Sequence, residues 1–234
     1  MKTLLMLHGW GFSSTVFAPL KNSLQADFII EAPDRPGYGD GNAASYADSP
    51  VAPLQSPSLV LGWSLGGLAA MRLALQQPEL VSGLVLLAAT PCFVNREDWK
   101  AGMDENVFEA FHQQVMDDQR SAMQQFVRLN SGAKIDRSSR EVLAAHAGDA
   151  GRQALLAGME ELADTDLRRE VKNIKVPVLL LHAADDRVVP VKASHWLEEV
   201  MPAARLVEFP LGGHAFFLQQ GREVATLIRS MSWI

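Results

Sequence analysis

The fold is decided by the stretch Leu59-Val60-Leu61-Gly62-Trp63-Ser64-Leu65-Gly66, which contains the pattern G-x-S-x-G. Its first four residues predict a short buried strand, and residues 65–77 have helical spacing until Pro78 ends the helix. Glycines two residues before and after Ser64 allow a turn so tight that side chains there would collide. The pattern therefore predicts a strand–turn–helix unit that holds the Ser64 hydroxyl above the edge of a sheet.

Further short apolar runs predict more strands of the same sheet. They are Leu4–Leu7, Phe28–Ala32, Leu84–Ala88, Val176–His182 and Arg205–Phe209. Helical spacing is found between them at Val16–Leu24, and Leu218–Ser230 predicts a closing helix. Apolar strands that alternate with helices are typical of a mainly parallel sheet covered on both faces. We therefore predict the α/β class, with a mainly parallel central sheet flanked by helices.

One stretch, 93–170, interrupts this alternation, because it has no clear strand and is helical in pattern throughout. A helical insert between two strands would lie over the carboxyl edge of the sheet, where open α/β sheets bind ligands. We therefore predict a core of residues 1–92 and 171–234 with a helical cap of residues 93–170. Residues 38–57 are rich in Gly, Ala, Ser, Asp and Pro and predict a loop with at most a short helix.

Composition limits the partners. The chain has 234 residues, of which 48% are hydrophobic, enough to bury a sizeable core. The net charge of −6 does not indicate a basic surface for binding nucleic acid. No run approaches the roughly 20 apolar residues that cross a bilayer, and the run Leu4–Leu7 is too short for a signal peptide. The single cysteine, Cys92, is expected to be a small buried hydrophobe. We expect a cytoplasmic protein, and a monomer.

Motifs for metals and cofactors are missing from the sequence. It has no HExxH, no Cys/His cluster, no P-loop and no GxGxxG after a strand. The glycine-rich stretch 37–41 predicts a turn. We therefore expect neither a metal nor a cofactor.

Ser64 would need a general base, and a G-x-S-x-G fold has its partners in the order Ser, acid, His. Of the six histidines, only His195 and His214 follow a plausible acid. His195 falls in a predicted helix, whereas His214 follows two glycines in a loop that can reach over the sheet edge. His214 is the predicted base.

The acid is expected at the end of the predicted strand Val178–His182. Asp185 and Asp186 both qualify, and the pattern Asp186-Arg187-Val188-Val189-Pro190 favours Asp186. Such a carboxylate would hold the tautomer of His214 and stabilise its imidazolium. Asp185 remains the alternative.

A developing oxyanion needs two backbone N–H donors. One is expected from Leu65, after the serine, and the other from Trp10 in the loop His8-Gly9-Trp10-Gly11. Trp10 and Trp63 could also form walls of an acyl pocket, although either indole could be ordinary core. His8 is expected to be a structural hydrogen-bonding residue.

Three stretches together resemble the α/β-hydrolase superfamily: His8–Gly11, Asp34–Gly39 and Gly62–Gly67. Three more resemble a narrower family within it, the esterases that act on the methyl ester of pimeloyl-acyl-carrier protein in biotin synthesis: Thr90–Phe93, Phe111–Asp118 and Asp166–Arg169. The resemblance implies a carboxylic ester hydrolase that forms an acyl-enzyme and takes a small acyl ester, which in that family is carried on acyl-carrier protein. The alternatives are a general short-chain carboxylesterase and a ligand receptor that retains Ser64, Asp186 and His214.

The same resemblance implies that the cap segment Phe126-Val127-Arg128-Leu129-Asn130 helps to bind the acyl chain, although spacing alone would place Phe126 and Leu129 in the core. That family's cap also carries arginines for the acidic carrier protein, and Ser121 and Gln125 stand at two of those positions here. Five other arginines could replace them: Arg120, Arg128, Arg137, Arg140 and Arg152. The insert is net acidic, so its overall charge would not attract an acidic partner.

Overall fold

The computed structural model describes residues 1–40, 54–132 and 134–231. Residues 41–53 of the predicted loop lie outside the described residues. The strands are β1 (Lys2–Leu7), β2 (Phe28–Glu31), β3 (Ser58–Trp63), β4 (Val81–Leu87), β5 (Val178–Ala183) and β6 (Ala204–Phe209). The helices are α1 (Ala18–Leu24), α2 (Leu65–Gln76), α3 (Glu105–Asp117), α4 (Gln119–Asn130), α5 (Arg137–His146), α6 (Arg152–Asp164), α7 (Lys192–Val200) and α8 (Gly221–Ser230).

The six strands form one parallel sheet in the order β2-β1-β3-β4-β5-β6. This confirms the predicted α/β class. Chain order reverses between β1 and β3, and the register that pairs Leu7 with Gly62 places the carboxyl ends of these two strands side by side. Such a switch point opens a crevice in which α/β sheets bind ligands. Both loops that carry the predicted oxyanion donors leave the sheet here.

Burial explains why the central strands are almost wholly apolar. Every residue of β3 and of β5 is buried, since helices cover both faces of the sheet. At one edge, β2 buries only Phe28 and leaves Ile29 half exposed. The closing helix begins at Gly221, later than the predicted Leu218, because Phe216–Leu218 forms a separate short 3-10 helix.

Four helices, α3 to α6, separate β4 from β5 in the chain. An aspartate caps the N-terminus of each of the helices α3, α4 and α5: Asp104, Asp118 and Asp136. Each carboxylate accepts hydrogen bonding from backbone N–H in the first turn of its helix. The prediction of helix throughout 93–170 is wrong for 93–104, where bridges pair Val94 with Met103 and Arg96 with Trp99. The backbone there bonds to side chains and to itself across the loop, which leaves no helical ladder. The division into a core and a cap with the predicted bounds stays a prediction.

Helix α6 is bound to the core by polar contacts. Arg35, after β2, and Arg72, on α2, both bind the carboxylate of Glu161. The indole N–H of Trp10 donates to the carbonyl of Leu155 (2.8 Å), and the Tyr38 hydroxyl donates to that of Ala154 (3.3 Å). One side of the insert is therefore attached to the loops at the carboxyl edge of the sheet.

Among the helices of the described ranges, none has the length and apolar character that crossing a membrane requires.

Candidate active site

Ser64 occupies the turn between β3 and α2 in a backbone conformation that L-residues rarely adopt, with φ 55° and ψ −119°. A Cβ on Gly62 would lie 2.4 Å from the carbonyl oxygen of Gly66. A Cβ on Gly66 would lie 2.1 Å from the carbonyl oxygen of Leu7. The two glycines of the motif are therefore required because α2 starts in backbone contact with β3 and β1. The turn leaves the nearly buried Ser64 lining a cavity.

His214 lies in the loop after β6, where Gly212 and Gly213 both have positive φ. Its fully buried ring donates from Nδ1 to Oδ2 of Asp186 (2.7 Å), so Nε2 is the unprotonated nitrogen of the neutral ring. Within the described part of the chain this Nε2 is buried and has no hydrogen-bond partner. The indole of Trp63 donates to the carbonyl of His214 (3.0 Å). The arrangement presents a base nitrogen that is free to accept a proton.

Asp186 receives four hydrogen bonds. Its Oδ1 accepts from the backbone N–H groups of Val188 (2.8 Å) and Val189 (3.0 Å), and its Oδ2 accepts from His214 and from His182 (3.0 Å). Burial by itself would raise the pKa of this carboxyl, but the nearby histidines and their hydrogen bonds hold the pKa well below its ordinary value. Asp186 is therefore an anion that fixes the tautomer of His214.

Asp185, the alternative acid, has a different place. Its Oδ1 accepts the backbone N–H of Gly213 (2.8 Å), the residue before His214. The two consecutive aspartates thus hold one loop in two ways, Asp186 by the imidazole and Asp185 by the main chain. The geometry favours Asp186 as the partner of the base.

One predicted oxyanion donor, Leu65, follows Ser64 in the chain, and the loop that carries the other, Trp10, passes beside the serine. A Cβ on Gly9 would be 3.2 Å from the Cβ of Ser64, so the loop after β1 passes next to the serine. Among the described residues, no acceptor takes the backbone N–H of Trp10 or of Leu65. Free N–H groups next to a serine hydroxyl are the arrangement that stabilises a developing oxyanion.

His8 holds this loop. Its Nδ1 donates to the carbonyl of Gly9 (3.0 Å), and its Nε2 accepts the backbone N–H of Arg35 (3.0 Å). Burial lowers the pKa of His8 to about 4, and the ring is neutral. The carbonyl of Gly9 and the N–H of Trp10 belong to one planar peptide unit, so fixing the first orients the second.

The cavity beside Ser64 has a volume of about 340 Å³ and is walled chiefly by apolar side chains of the insert. None of the described residues that line it is charged. Trp10 forms part of the wall, with the ring of Phe126 edge-on at 4.8 Å and that of Phe111 at 5.6 Å. Sequence reasoning missed Phe108 and Phe111, although their spacing on α3 was a visible signal.

The segment 126–130 is divided between two faces of α4. Phe126 and Leu129 line the cavity, whereas Val127 and Arg128 line a groove on the opposite face, since residues three apart share a helix face. Asn130 is buried, donates to the carbonyl of Phe126 (2.8 Å) and lines neither space. Trp63 does not line the cavity either, because it packs in the core against Phe12, His214 and Phe217.

The groove on the other face of α4 has a volume of about 620 Å³ and contains Arg120, Arg128 and Arg140. In the described ranges these three arginines form no salt bridge. Arg137 instead pairs with Glu141 on its own helix, and Arg152 binds the carbonyl of Met116. Gln125 lines the cavity, and the backbone N–H of Ser121 bonds to Asp118. The five candidate arginines therefore separate into one cluster of three and two that are engaged locally.

The model of the alpha/beta hydrolase family matches residues 4–227. The chain belongs to this family, and its fold and site define an ester hydrolase. Within the family it belongs with the pimeloyl-[acyl-carrier protein] methyl ester esterases. The esterase of that name from Nitrosomonas europaea is 38% identical, over 92% of this chain and 89% of its own length. The one from Aromatoleum aromaticum is 34% identical, over 97% of each chain.

Solved structures show the same fold. An esterase from Exiguobacterium antarcticum superposes with a TM-score of 0.84 at 24% identity, covering 98% of this chain and 91% of that one. A hydrolase from Oleispira antarctica has a TM-score of 0.86 at 17% identity, covering 99% of this chain and 92% of that one.

Proposed function

We propose that this protein hydrolyses the methyl ester of a pimeloyl group carried on acyl-carrier protein, with Ser64, His214 and Asp186 as the catalytic residues. The observation that carries the proposal is an uncharged cavity lined by Ser64, whose chain neighbour Trp63 donates a hydrogen bond to the carbonyl of His214 in the buried His214–Asp186 pair. The names of the relatives support the choice of ester.

In the proposed reaction each of these residues has a defined role. Ser64 Oγ attacks the ester carbonyl while Nε2 of His214 takes its proton. The N–H groups of Trp10 and Leu65 bind the oxyanion. The intermediate then releases methanol, which receives the proton from His214, and leaves an acyl ester on Ser64. Water, deprotonated by His214, hydrolyses that ester, and the free carboxylate is released with Ser64 reprotonated.

The lining of the cavity favours the ester over its product. A methyl ester is neutral and can enter a space without charged groups at little cost. The product carries a carboxylate, which pays a desolvation penalty in the same space. The cavity therefore accepts the substrate and expels the product without a charged residue to discriminate between them.

The carrier protein would be recognised by the groove that contains Arg120, Arg128 and Arg140. Three cations without a salt-bridge partner in the described ranges form a local positive patch on an insert that is acidic overall. Local complementarity can guide an acidic partner even where net charge does not. In this proposal the enzyme is a monomer in the cytoplasm, a location with which the buried, unpaired Cys92 is consistent.

The test compares two substrates. The protein is incubated with methyl pimeloyl carrier protein, and loss of the methyl group is followed by mass spectrometry beside hydrolysis of p-nitrophenyl acetate. The proposal predicts a higher kcat/KM for the carrier-bound ester and loss of both activities in Ser64→Ala. Rapid cleavage of p-nitrophenyl acetate without turnover of the carrier ester would establish a general short-chain carboxylesterase instead.

A further inference from the structure

Asp186 is bound by a second histidine, His182, at the end of β5. Its Nε2 lies 3.0 Å from Oδ2 of Asp186 and 3.0 Å from the carbonyl oxygen of Val189. Its Nδ1 lies 2.7 Å from the hydroxyl oxygen of Ser194 on α7. His182 and Ser194 are both buried, and neither lines the cavity.

The partners of His182 define its tautomer. Both atoms near Nε2 are acceptors only, so Nε2 carries a proton and donates. In the neutral ring Nδ1 then accepts, and the hydroxyl of Ser194 is its donor. A chain of hydrogen bonds therefore runs from Ser194 through His182 to Asp186, and ends at Nδ1 of His214.

We propose that His182 is a positioning residue that holds the Asp186 carboxylate in the orientation required by His214, with Ser194 holding His182 in turn. The inference rests on the proposed function, in which His214 is the base. Oδ1 of Asp186 is held by the two N–H groups of Val188 and Val189, which alone would leave the carboxylate free to pivot about that oxygen. His182 supplies the hydrogen bond that fixes Oδ2 independently of His214.

The physical consequence is preorganisation. His214 changes its charge during each catalytic cycle, and an acid that reoriented with it would lose part of the stabilisation of the imidazolium. The buried imidazole of His182 keeps Oδ2 in place through this change. Loss of the His182 imidazole should reduce the rate of the chemical step, because that step depends on the orientation of Asp186. It should leave substrate binding unchanged, because His182 does not line the cavity.

The experiment compares two replacements of His182. His182→Phe keeps the ring and removes the donor, whereas His182→Gln places an amide N–H near the position of Nε2. With p-nitrophenyl acetate we expect kcat of the Phe variant to fall by roughly tenfold or more, with little change in KM, and the Gln variant to recover most of it. Ser194→Ala should reduce kcat in the same direction by less. His195→Gln, which alters the exposed neighbour of Ser194, is the control.

A spectroscopic readout separates positioning from mere support of the fold. The proton between His214 Nδ1 and Asp186 should give a far-downfield NMR resonance that shifts or broadens in His182→Phe and returns in His182→Gln. If the Phe variant does not fold, Ser194→Ala and His182→Gln are compared with wild type by the same two measurements.

The outcomes are distinct. Wild-type kcat and an unmoved resonance in folded His182→Phe and Ser194→Ala would overturn the inference, even where Ser64→Ala is inactive. Full activity of Ser64→Ala would instead overturn the proposed function, and the resonance would still report on His182.

Discussion

The backbone carbonyl of Asn130, the last residue of α4, accepts a hydrogen bond from the backbone N–H of Ala215, the residue after His214 (3.2 Å). Two residues further along the insert, a Cβ on Gly132 would lie 2.4 Å from the backbone nitrogen of Gly213. The helix that supplies Gln125, Phe126 and Leu129 to the cavity is therefore in main-chain contact with the loop of the proposed base. The end of α4 therefore helps to fix the position of the loop that carries His214.

The first prediction tests that contact with Gly132→Ala. The added methyl group meets backbone atoms that cannot move aside, so we expect kcat to fall about tenfold and the free energy of unfolding to fall by about 1–3 kcal/mol. Gly151→Ala is the matched control, because a Cβ there has no neighbouring atom within 4 Å. Equal activity of the two variants in an ester hydrolysis assay would show that the contact has no catalytic role.

The second prediction concerns the strained backbone of Ser64. Ser64→Ala and Ser64→Gly should both lose activity by roughly 1,000-fold or more, since each lacks the nucleophile. The glycine variant should nevertheless unfold at higher denaturant concentration than the alanine variant, with a difference of about 1 kcal/mol, because glycine adopts a φ of 55° without steric cost. Indistinguishable midpoints would indicate that the turn stores no strain.

The third prediction is a pH dependence of stability caused by His8. Its pKa is lowered from 6.5 to about 4 in the folded protein, so the unfolded chain binds more protons between these values. The stability that the neutral His8 contributes is fully present above pH 6.5 and is lost as the pH falls towards 4. The free energy of unfolding should fall by about 3 kcal/mol in total over this range. Urea unfolding should therefore show a steeper loss between pH 6.5 and pH 4.5 in wild type than in His8→Gln, which cannot titrate. Parallel pH curves would contradict this assignment.

The fourth prediction concerns the arginine groove. Arg128→Glu should raise KM for methyl pimeloyl carrier protein by about tenfold or more and leave KM for p-nitrophenyl acetate unchanged, because the small ester does not need the carrier site. Arg137→Glu is the control, since Arg137 lies outside the groove and pairs with Glu141. An equal rise in KM for methyl pimeloyl carrier protein in both variants would show that the carrier responds to the net charge of the insert and not to the groove.

Much of the fold followed from local pattern. The apolar runs predicted, within a few residues, all six strands found in the described part of the chain, and the spacing of glycines around Ser64 predicted the turn that the structure shows. These features depend on neighbours in the chain, because strand burial and turn sterics act over a few residues. The irregular stretch 93–104 was missed because its backbone is satisfied by partners that no periodicity reveals.

The sequence by itself determined the class of fold and the position of Ser64 in the turn between a strand and a helix. It also sufficed to predict His214 rather than His195 as the base, since that prediction uses only order along the chain and local pattern. Only the tertiary structure decided that Asp186 bonds to the ring of His214 while Asp185 bonds to the main chain of Gly213. It also brought His182 onto Asp186 and divided the arginines between a groove and local pairs. The physical reason is that these contacts depend on directions of side chains from different elements, which spacing along one chain does not encode.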